Sequence, residues 1–135
     1  MMVDDVANDP ANPFPGKLFN KATAAGTPAV DVHDGCTPDY KGVDVTAENF
    51  LAVLTGDTAK VAGKGNGKVL KSTGTDNVFV NFIGHGGNEL NYMVGGNLHA
   101  GDLNAALAQM HTSNMYRKLV FYMEACNSGS MFDGI

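Results

Sequence analysis

Two residues with reactive side chains, His85 and Cys126, each follow an apolar run of strand-like composition. The first run lies in "VFVNFIGHGG", residues 78–87, and the second in "VFYMEACNSGSMF", residues 120–132. A cysteine reacts as its thiolate, and a nearby imidazole can take the thiol proton and later protonate a leaving amine. The pair therefore predicts a cysteine nucleophile with a histidine base, provided that the fold brings the two residues together.

A strand–helix–strand unit is predicted to position them. Residues 78–83 and 118–123 are short runs rich in Val, Phe and Ile or Tyr, as in buried parallel strands. A helix is predicted between them, with Asp102 as its cap. Its apolar residues recur at helical spacing: Leu103, Ala106, Leu107 and Met110. Because neighbouring parallel strands end on one edge of the sheet, about 4.8 Å apart, His85 and Cys126 are expected on the same rim.

The glycines after His85 have a use in the same chemistry. Gly86 and Gly87 let a substrate carbonyl approach the main chain, and the N–H groups of Gly86 and Cys126 can stabilise an oxyanion. The alternative is a buried small thiol beside a histidine in a turn, and the residues alone leave both interpretations open. Glu124, two positions before Cys126, is likewise open between a structural carboxylate and a pocket residue.

Composition and charge exclude several other functions. A net charge of −5 without a basic face argues against nucleic-acid binding. No apolar run approaches ~20 residues, which argues against membrane insertion, and the acidic N-terminus shows no signal peptide. His33 and Cys36 supply only half of a zinc site, and two cysteines allow at most one disulfide. We therefore predict neither a metal nor a cofactor.

The 135 residues are expected to form a single partial domain. Residues 1–45 read mostly as loop, and residues 46–135 as a core of helix, loop and βαβ unit. In that core, Thr46 is expected to cap a helix that Gly56 ends. A further helix is predicted to start near Gly129, and one strand edge of the incomplete sheet is expected to stay bare.

Several segments together resemble the legumains, the asparaginyl endopeptidases among the caspase-like cysteine peptidases. The most specific is "EACNSGSM", within "MYRKLVFYMEACNSGSMF". Others are "DLNAALAQM", "GHGG", "GKVLKS", "DYKGVDVTAENFLAVLTGD" and "VDDVANDPANPFPGK". They follow one another in order over nearly the whole chain. The resemblance implies a caspase-like α/β/α sandwich of three layers with a mostly parallel sheet, incomplete in this chain.

The resemblance also implies a role for each candidate residue. Cys126 would be the nucleophile, His85 the general base and acid, and the N–H groups of Gly86 and Cys126 the oxyanion hole. Glu124 would line the pocket for a substrate Asn. Its carboxylate can accept a hydrogen bond from the carboxamide NH₂ of that Asn. Such enzymes cleave peptides or proteins at acidic pH in lysosomes or vacuoles, and some also ligate peptides.

The sequence departs from this family in three respects. It lacks a preceding strand and helix that supply an Arg-His pair to the pocket. It also lacks the following half, with the prodomain expected in the full-length protein. Gly84 replaces the usual Asp before the catalytic His, and this "GHGG" resembles the catalytic subunit of GPI transamidase. The alternatives are therefore a GPI-transamidase-like subunit, or an inactive fragment that serves as a partner-binding module.

Overall fold

Short strands alternate with two helices in the computed structural model, which describes residues 1–135. In chain order they are β1 (Met2–Val3), β2 (Tyr40–Lys41), α1 (Ala47–Leu54), β3 (Asn77–Ile83), β4 (Gly86–Gly87), β5 (Leu90–Met93), β6 (Gly96–His99), α2 (Ala100–Thr112) and β7 (Lys118–Glu124). Short 3₁₀ turns cover Val6–Asn8, Gly42–Asp44 and Ser128–Phe132, so the helix predicted near Gly129 is a 3₁₀ turn instead. Neither helix has the length and apolarity needed to cross a bilayer.

The predicted pair of parallel strands is confirmed. β3 and β7 are neighbours and run in the same direction, from Asn77 opposite Lys118 to Ile83 opposite Glu124. Alternate residues of both strands turn inward, because successive side chains of a strand point to opposite faces. They pack on a cluster whose fully buried members are Leu98, Leu103, Met110 and Met131. This cluster fixes the two strands against α2.

The local signals for α1 are also confirmed. The Thr46 hydroxyl accepts a hydrogen bond from the Asn49 N–H at 3.1 Å, and Glu48 lies in the first turn, where the helix dipole favours an acid. Gly56 follows the last turn with φ 73°. A Cβ there would also lie 3.0 Å from the Leu70 carbonyl oxygen. Both the backbone conformation and the lack of space therefore favour glycine at this position.

The predicted cap of α2 is wrong. The N-cap is His99, and Asp102 lies within the first turn. The reason is that β6 ends at His99 and the helix begins at the next residue. No loop separates the two elements, so Asp102 is already inside the helix. Strands β4, β5 and β6 form a three-stranded antiparallel sheet in that order, and β4 and β5 make the hairpin that follows His85. The Asp102 carboxylate still lies at the positive end of the helix dipole.

The outer edge of β3 has no partner strand, as expected. β1 pairs only with β2, with Met2 opposite Tyr40 in parallel. A cavity of about 810 Å³ lies between β1 and β3, lined on one side by residues 1–4 and on the other by residues 78–85. His85 lies at the end of this cavity that is nearest the carboxyl end of β3.

Both helices pack on one face of the β3–β7 pair. Phe50 of α1 meets Phe82 of β3 edge to face, with ring centroids 6.2 Å apart, and α2 belongs to the same apolar cluster. The opposite face exposes Phe79, Ile83 and Tyr122. The α/β class with parallel strand pairs is therefore confirmed, and the chain holds a sheet layer and one helical layer of the expected three-layer sandwich.

Candidate active site

His85 and Cys126 occupy equivalent positions beyond the two parallel strands. The ladder pairs each β3 residue with the β7 residue 41 positions later, ending at Ile83 and Glu124. A hydrogen bond from the Gly84 N–H to the Glu124 carbonyl, at 3.0 Å, extends it. His85 and Cys126 are also 41 positions apart, so the register of the ladder brings them level on one rim. Both side chains are exposed, and no hydrogen bond joins the imidazole to the thiol.

Gly86 packs directly against the main chain of Cys126. A side chain at this position would place its Cβ 2.8 Å from the Cys126 carbonyl oxygen and 3.1 Å from the Ala125 Cβ, and closer still to the Asn91 side chain. Real Cβ atoms essentially never come within 3.0 Å of another atom, so only glycine permits the contact with Cys126. Gly87 has no such constraint, because a Cβ there would meet its neighbours at ordinary van der Waals distances.

The N–H groups of Gly86 and Cys126 take no part in the β-ladder hydrogen bonds. The Tyr92 N–H donates to the His85 carbonyl at 2.9 Å, which makes these two residues a hydrogen-bonded pair of the antiparallel ladder β4–β5. Such pairs alternate with non-bonded pairs, so the next pair, Gly86 and Asn91, leaves the Gly86 N–H pointing away from β5. The Cys126 N–H makes no hydrogen bond within the chain. Two main-chain donors are therefore available beside the thiol.

A tight turn follows Cys126 and is tied down by Ser130. Asn127 adopts the left-handed conformation, with φ 56°, which Asn tolerates better than most residues. The Ser130 hydroxyl donates to the Asn127 carbonyl and accepts from the Glu89 N–H, each at 2.7 Å. Because Glu89 lies in the turn between β4 and β5, Ser130 links the hairpin that follows His85 to the segment that follows Cys126.

Sequence reasoning missed Asn91, Asn127 and Ser130 as parts of this site. Asn127 carried a local signal, because Asn is enriched where a chain must turn left-handed. Asn91 and Ser130 carried none, since their contacts reach residues 32 and 41 positions away. Such contacts become visible only when the hairpin is folded against the end of β7.

Glu124 lies at the end of β7 on the open face of the sheet. Its side chain is exposed and lines a shallow groove of about 440 Å³ together with Tyr122 and Ser128, among others. Strand alternation places Tyr122 and Glu124 on the same face. The carboxylate is therefore accessible to a polar group that approaches the rim from this side.

The second histidine–cysteine pair does not assemble into a metal site. His33 Nδ1 lies 3.2 Å from the Gly16 carbonyl oxygen, and the Cys36 thiol donates to the Val32 carbonyl at 3.6 Å. No group of three or more His, Cys, Asp or Glu side chains converges in the structure, and both cysteines are free thiols. Cys126 is thus the cysteine that the fold combines with a histidine and with unpaired main-chain donors.

This set of groups has the parts that acyl transfer by a thiol requires. The thiol supplies a nucleophile, the imidazole can accept and return a proton, and the two N–H groups can donate to an oxyanion. The arrangement depends on two contacts between segments: the parallel ladder of β3 with β7, and the packing of Gly86 against Cys126.

Comparison with known proteins relates the entire chain to one family. The family model described as Peptidase C13 family matches residues 1–135. The chain is 50% identical over 133 residues to legumain of Mus musculus, covering 98% of this chain and 29% of that protein. It is 44% identical over 135 residues to a vacuolar-processing enzyme of Vicia sativa, covering 99% of this chain and 26% of that protein. The chain thus spans less than a third of the length of these relatives. It belongs to the peptidase C13 family.

Proposed function

We propose that this chain carries the catalytic centre of a cysteine endopeptidase that cleaves peptide bonds after Asn. The observation that carries the proposal is the register of β3 with β7, which sets His85 level with Cys126 on one rim. Membership of a peptidase family and the similarity to legumain support the same chemistry. Neither a metal nor a cofactor is needed for it.

The proposed reaction proceeds through a thioester. His85 takes the Cys126 proton, the sulfur attacks the carbonyl carbon of the scissile bond, and the new oxyanion accepts from the N–H groups of Gly86 and Cys126. The C–N bond breaks as the imidazolium returns its proton to the leaving amine. Water, deprotonated by His85, then attacks the thioester, which releases the carboxylic acid and restores the thiol. An amine in place of water would form a new peptide bond.

Glu124 is proposed to select Asn. An ionised carboxylate only accepts hydrogen bonds, and the Asn carboxamide offers two donors on its nitrogen. A substrate Asp would instead bring a second negative charge to the same place. The exposure of Glu124 on the open face, two residues before Cys126, supports this assignment because the substrate side chain must lie close to the scissile carbonyl.

The test measures hydrolysis of a fluorogenic Asn peptide by the complete gene product. Cys126→Ser should abolish turnover without a change in melting temperature. Glu124→Gln should raise KM for the Asn peptide more than it lowers kcat, whereas Asp133→Asn, at another exposed acid, should change neither. Most of the activity surviving in Cys126→Ser would show that the nucleophile is wrongly assigned.

One observation favours a second candidate, a GPI-transamidase-like subunit. Gly84 precedes His85 in place of Asp, and a Cβ there would lie 3.2 Å from the Phe82 ring, so the local packing suits glycine. Such a subunit would need partner subunits and would pass its acyl group to an amine instead of to water. The same assay separates the two, since this candidate predicts no turnover of a free Asn peptide.

The chain by itself is proposed to be poorly stable and inactive, whatever the complete protein does. Its open sheet face exposes Phe79, Ile83 and Tyr122, and β3 keeps an unpaired edge. Monomeric 1–135 with Asn-directed turnover would contradict this. The complete protein is proposed to act on peptide or protein substrates in a lysosome or vacuole, with a prodomain as its internal partner.

A further inference from the structure

Asn91 of β5 is a buried polar residue whose side chain is only partly satisfied. It is 0% exposed, and its Oδ1 has no hydrogen-bond partner. One other buried side-chain atom shares this condition, Oδ1 of Asn104 on α2. A buried unpaired amide oxygen costs about 1–3 kcal/mol, and an apolar residue of similar shape would avoid that cost. The amide at position 91 therefore calls for an explanation other than stability.

The amide lies between the two segments that carry His85 and Cys126. On one side its nitrogen contacts Met123 Sδ of β7 at 2.8 Å. On the other side its oxygen lies next to Gly86. A Cβ at position 86 would be close both to this oxygen and to the Cys126 carbonyl oxygen. Asn91 thus belongs to β5, bonds to the end of β7 and borders the same space beside Gly86 as the Cys126 carbonyl.

The amide nitrogen donates to the Met123 sulfur, and the opposite orientation of the amide would give it a stronger acceptor, the Cys126 carbonyl. The two ends of a carboxamide have nearly the same shape, and the hydrogen-bond partners decide which end faces which group. A thioether sulfur is a weak acceptor, whereas a carbonyl oxygen is a strong one. The Cys126 carbonyl makes no other hydrogen bond within the chain, so it is available as the acceptor.

We infer that Asn91 is a positioning residue for the nucleophile, an inference that rests on the proposed function. Its carboxamide donates to the Cys126 carbonyl and holds the peptide of Cys126 against Gly86. This fixes both the distance of the thiol from His85 and the direction of the Cys126 N–H. Asn91 does not touch substrate, because it is wholly buried beneath these groups.

The experiment compares Asn91→Leu with Asn104→Leu, since both remove an amide whose oxygen is buried and unpaired. Both are made in the complete protein, and iodoacetamide alkylation is read by mass spectrometry on the peptide that carries Cys126, so that no other cysteine contributes to the signal. We expect Asn91→Leu to lower kcat by about tenfold or more with KM within about threefold, as expected for a displaced reacting group. It should also slow alkylation and shift its pH profile. Asn104→Leu should leave kcat and alkylation unchanged.

A merely structural role for Asn91 predicts a different result. In that case Asn91→Leu would change the melting temperature as Asn104→Leu does and would leave kcat and the alkylation profile at their starting values, which overturns the inference. If Asn91→Leu does not fold, Asn91→Ala, which also removes the donor but adds no bulk, is judged by the same criteria. If the unsubstituted protein cleaves no Asn peptide, the proposed function fails, while the alkylation profiles of the two variants still decide the role of Asn91.

Discussion

Replacing Gly86 with alanine tests whether the close approach of the hairpin to Cys126 is needed for reactivity. The added Cβ would stand 2.8 Å from the Cys126 carbonyl oxygen, and ordinary contact begins at about 3.4 Å, so the backbones of residues 86 and 126 must move apart by about 0.6 Å. A misplacement of about 1 Å can reduce catalysis on the order of 100-fold. The smaller shift therefore predicts a loss of about tenfold in kcat. Overpacking of this kind also destabilises a protein by about 1–3 kcal/mol.

The assay combines three measurements on the complete protein, with alkylation again read on the peptide that carries Cys126. Turnover of an Asn peptide gives kcat and KM, iodoacetamide gives the reactivity of Cys126, and thermal unfolding gives the change in stability. Gly87→Ala is the matched control, because its Cβ would meet only Leu90 atoms, at 3.7 and 3.8 Å. That variant should retain kcat and alkylation rate, with stability within about 0.5 kcal/mol of the starting protein.

The result that refutes the reasoning is a folded Gly86→Ala protein that matches Gly87→Ala in kcat and alkylation rate. Reactivity would then not depend on how closely the hairpin packs against the Cys126 peptide. A fall in melting temperature alone, with the reactivity of Cys126 unchanged, would also refute it. Overpacking would in that case be absorbed away from the thiol.

Two further predictions concern the segments that hold the site in place. Ser130→Ala removes the hydrogen bonds to the Glu89 N–H and the Asn127 carbonyl. The free energy of unfolding should fall by about 1–2 kcal/mol, and hydrogen exchange of the Glu89 amide should become faster. Equal exchange rates in Ser128→Ala and Ser130→Ala would contradict this. Hydrogen bonds from Thr73 lower the pKa of Asp76 in the turn before β3. That carboxylate therefore stabilises the fold above its unfolded pKa of about 3.9. The melting temperature of the starting protein should exceed that of Asp76→Asn by an amount that shrinks as pH falls through and below that value. A difference that stays constant with pH would refute this prediction.

The sequence by itself determined the elements whose signals are local. The runs of β3 and β7 announce strands through their composition, and Thr46 and Gly56 mark both ends of α1 through hydrogen bonding and backbone conformation. General topology then suggested that His85 and Cys126 share a rim, since neighbouring parallel strands end together. The motif around Cys126 pointed to the peptidase family that the comparisons confirm.

Tertiary structure alone decided the register and the close contacts. The offset of 41 positions keeps the inward side chains of β3 and β7 on the same face, against α2, and that pairing is not visible in either strand separately. The N-cap of α2 is His99 and not the predicted Asp102, because β6 leads directly into the helix. The need for glycine at position 86 and the buried amide of Asn91 arise only when the hairpin packs against the end of β7. Sequence thus supplied the reactive groups, and packing between distant segments set their distances.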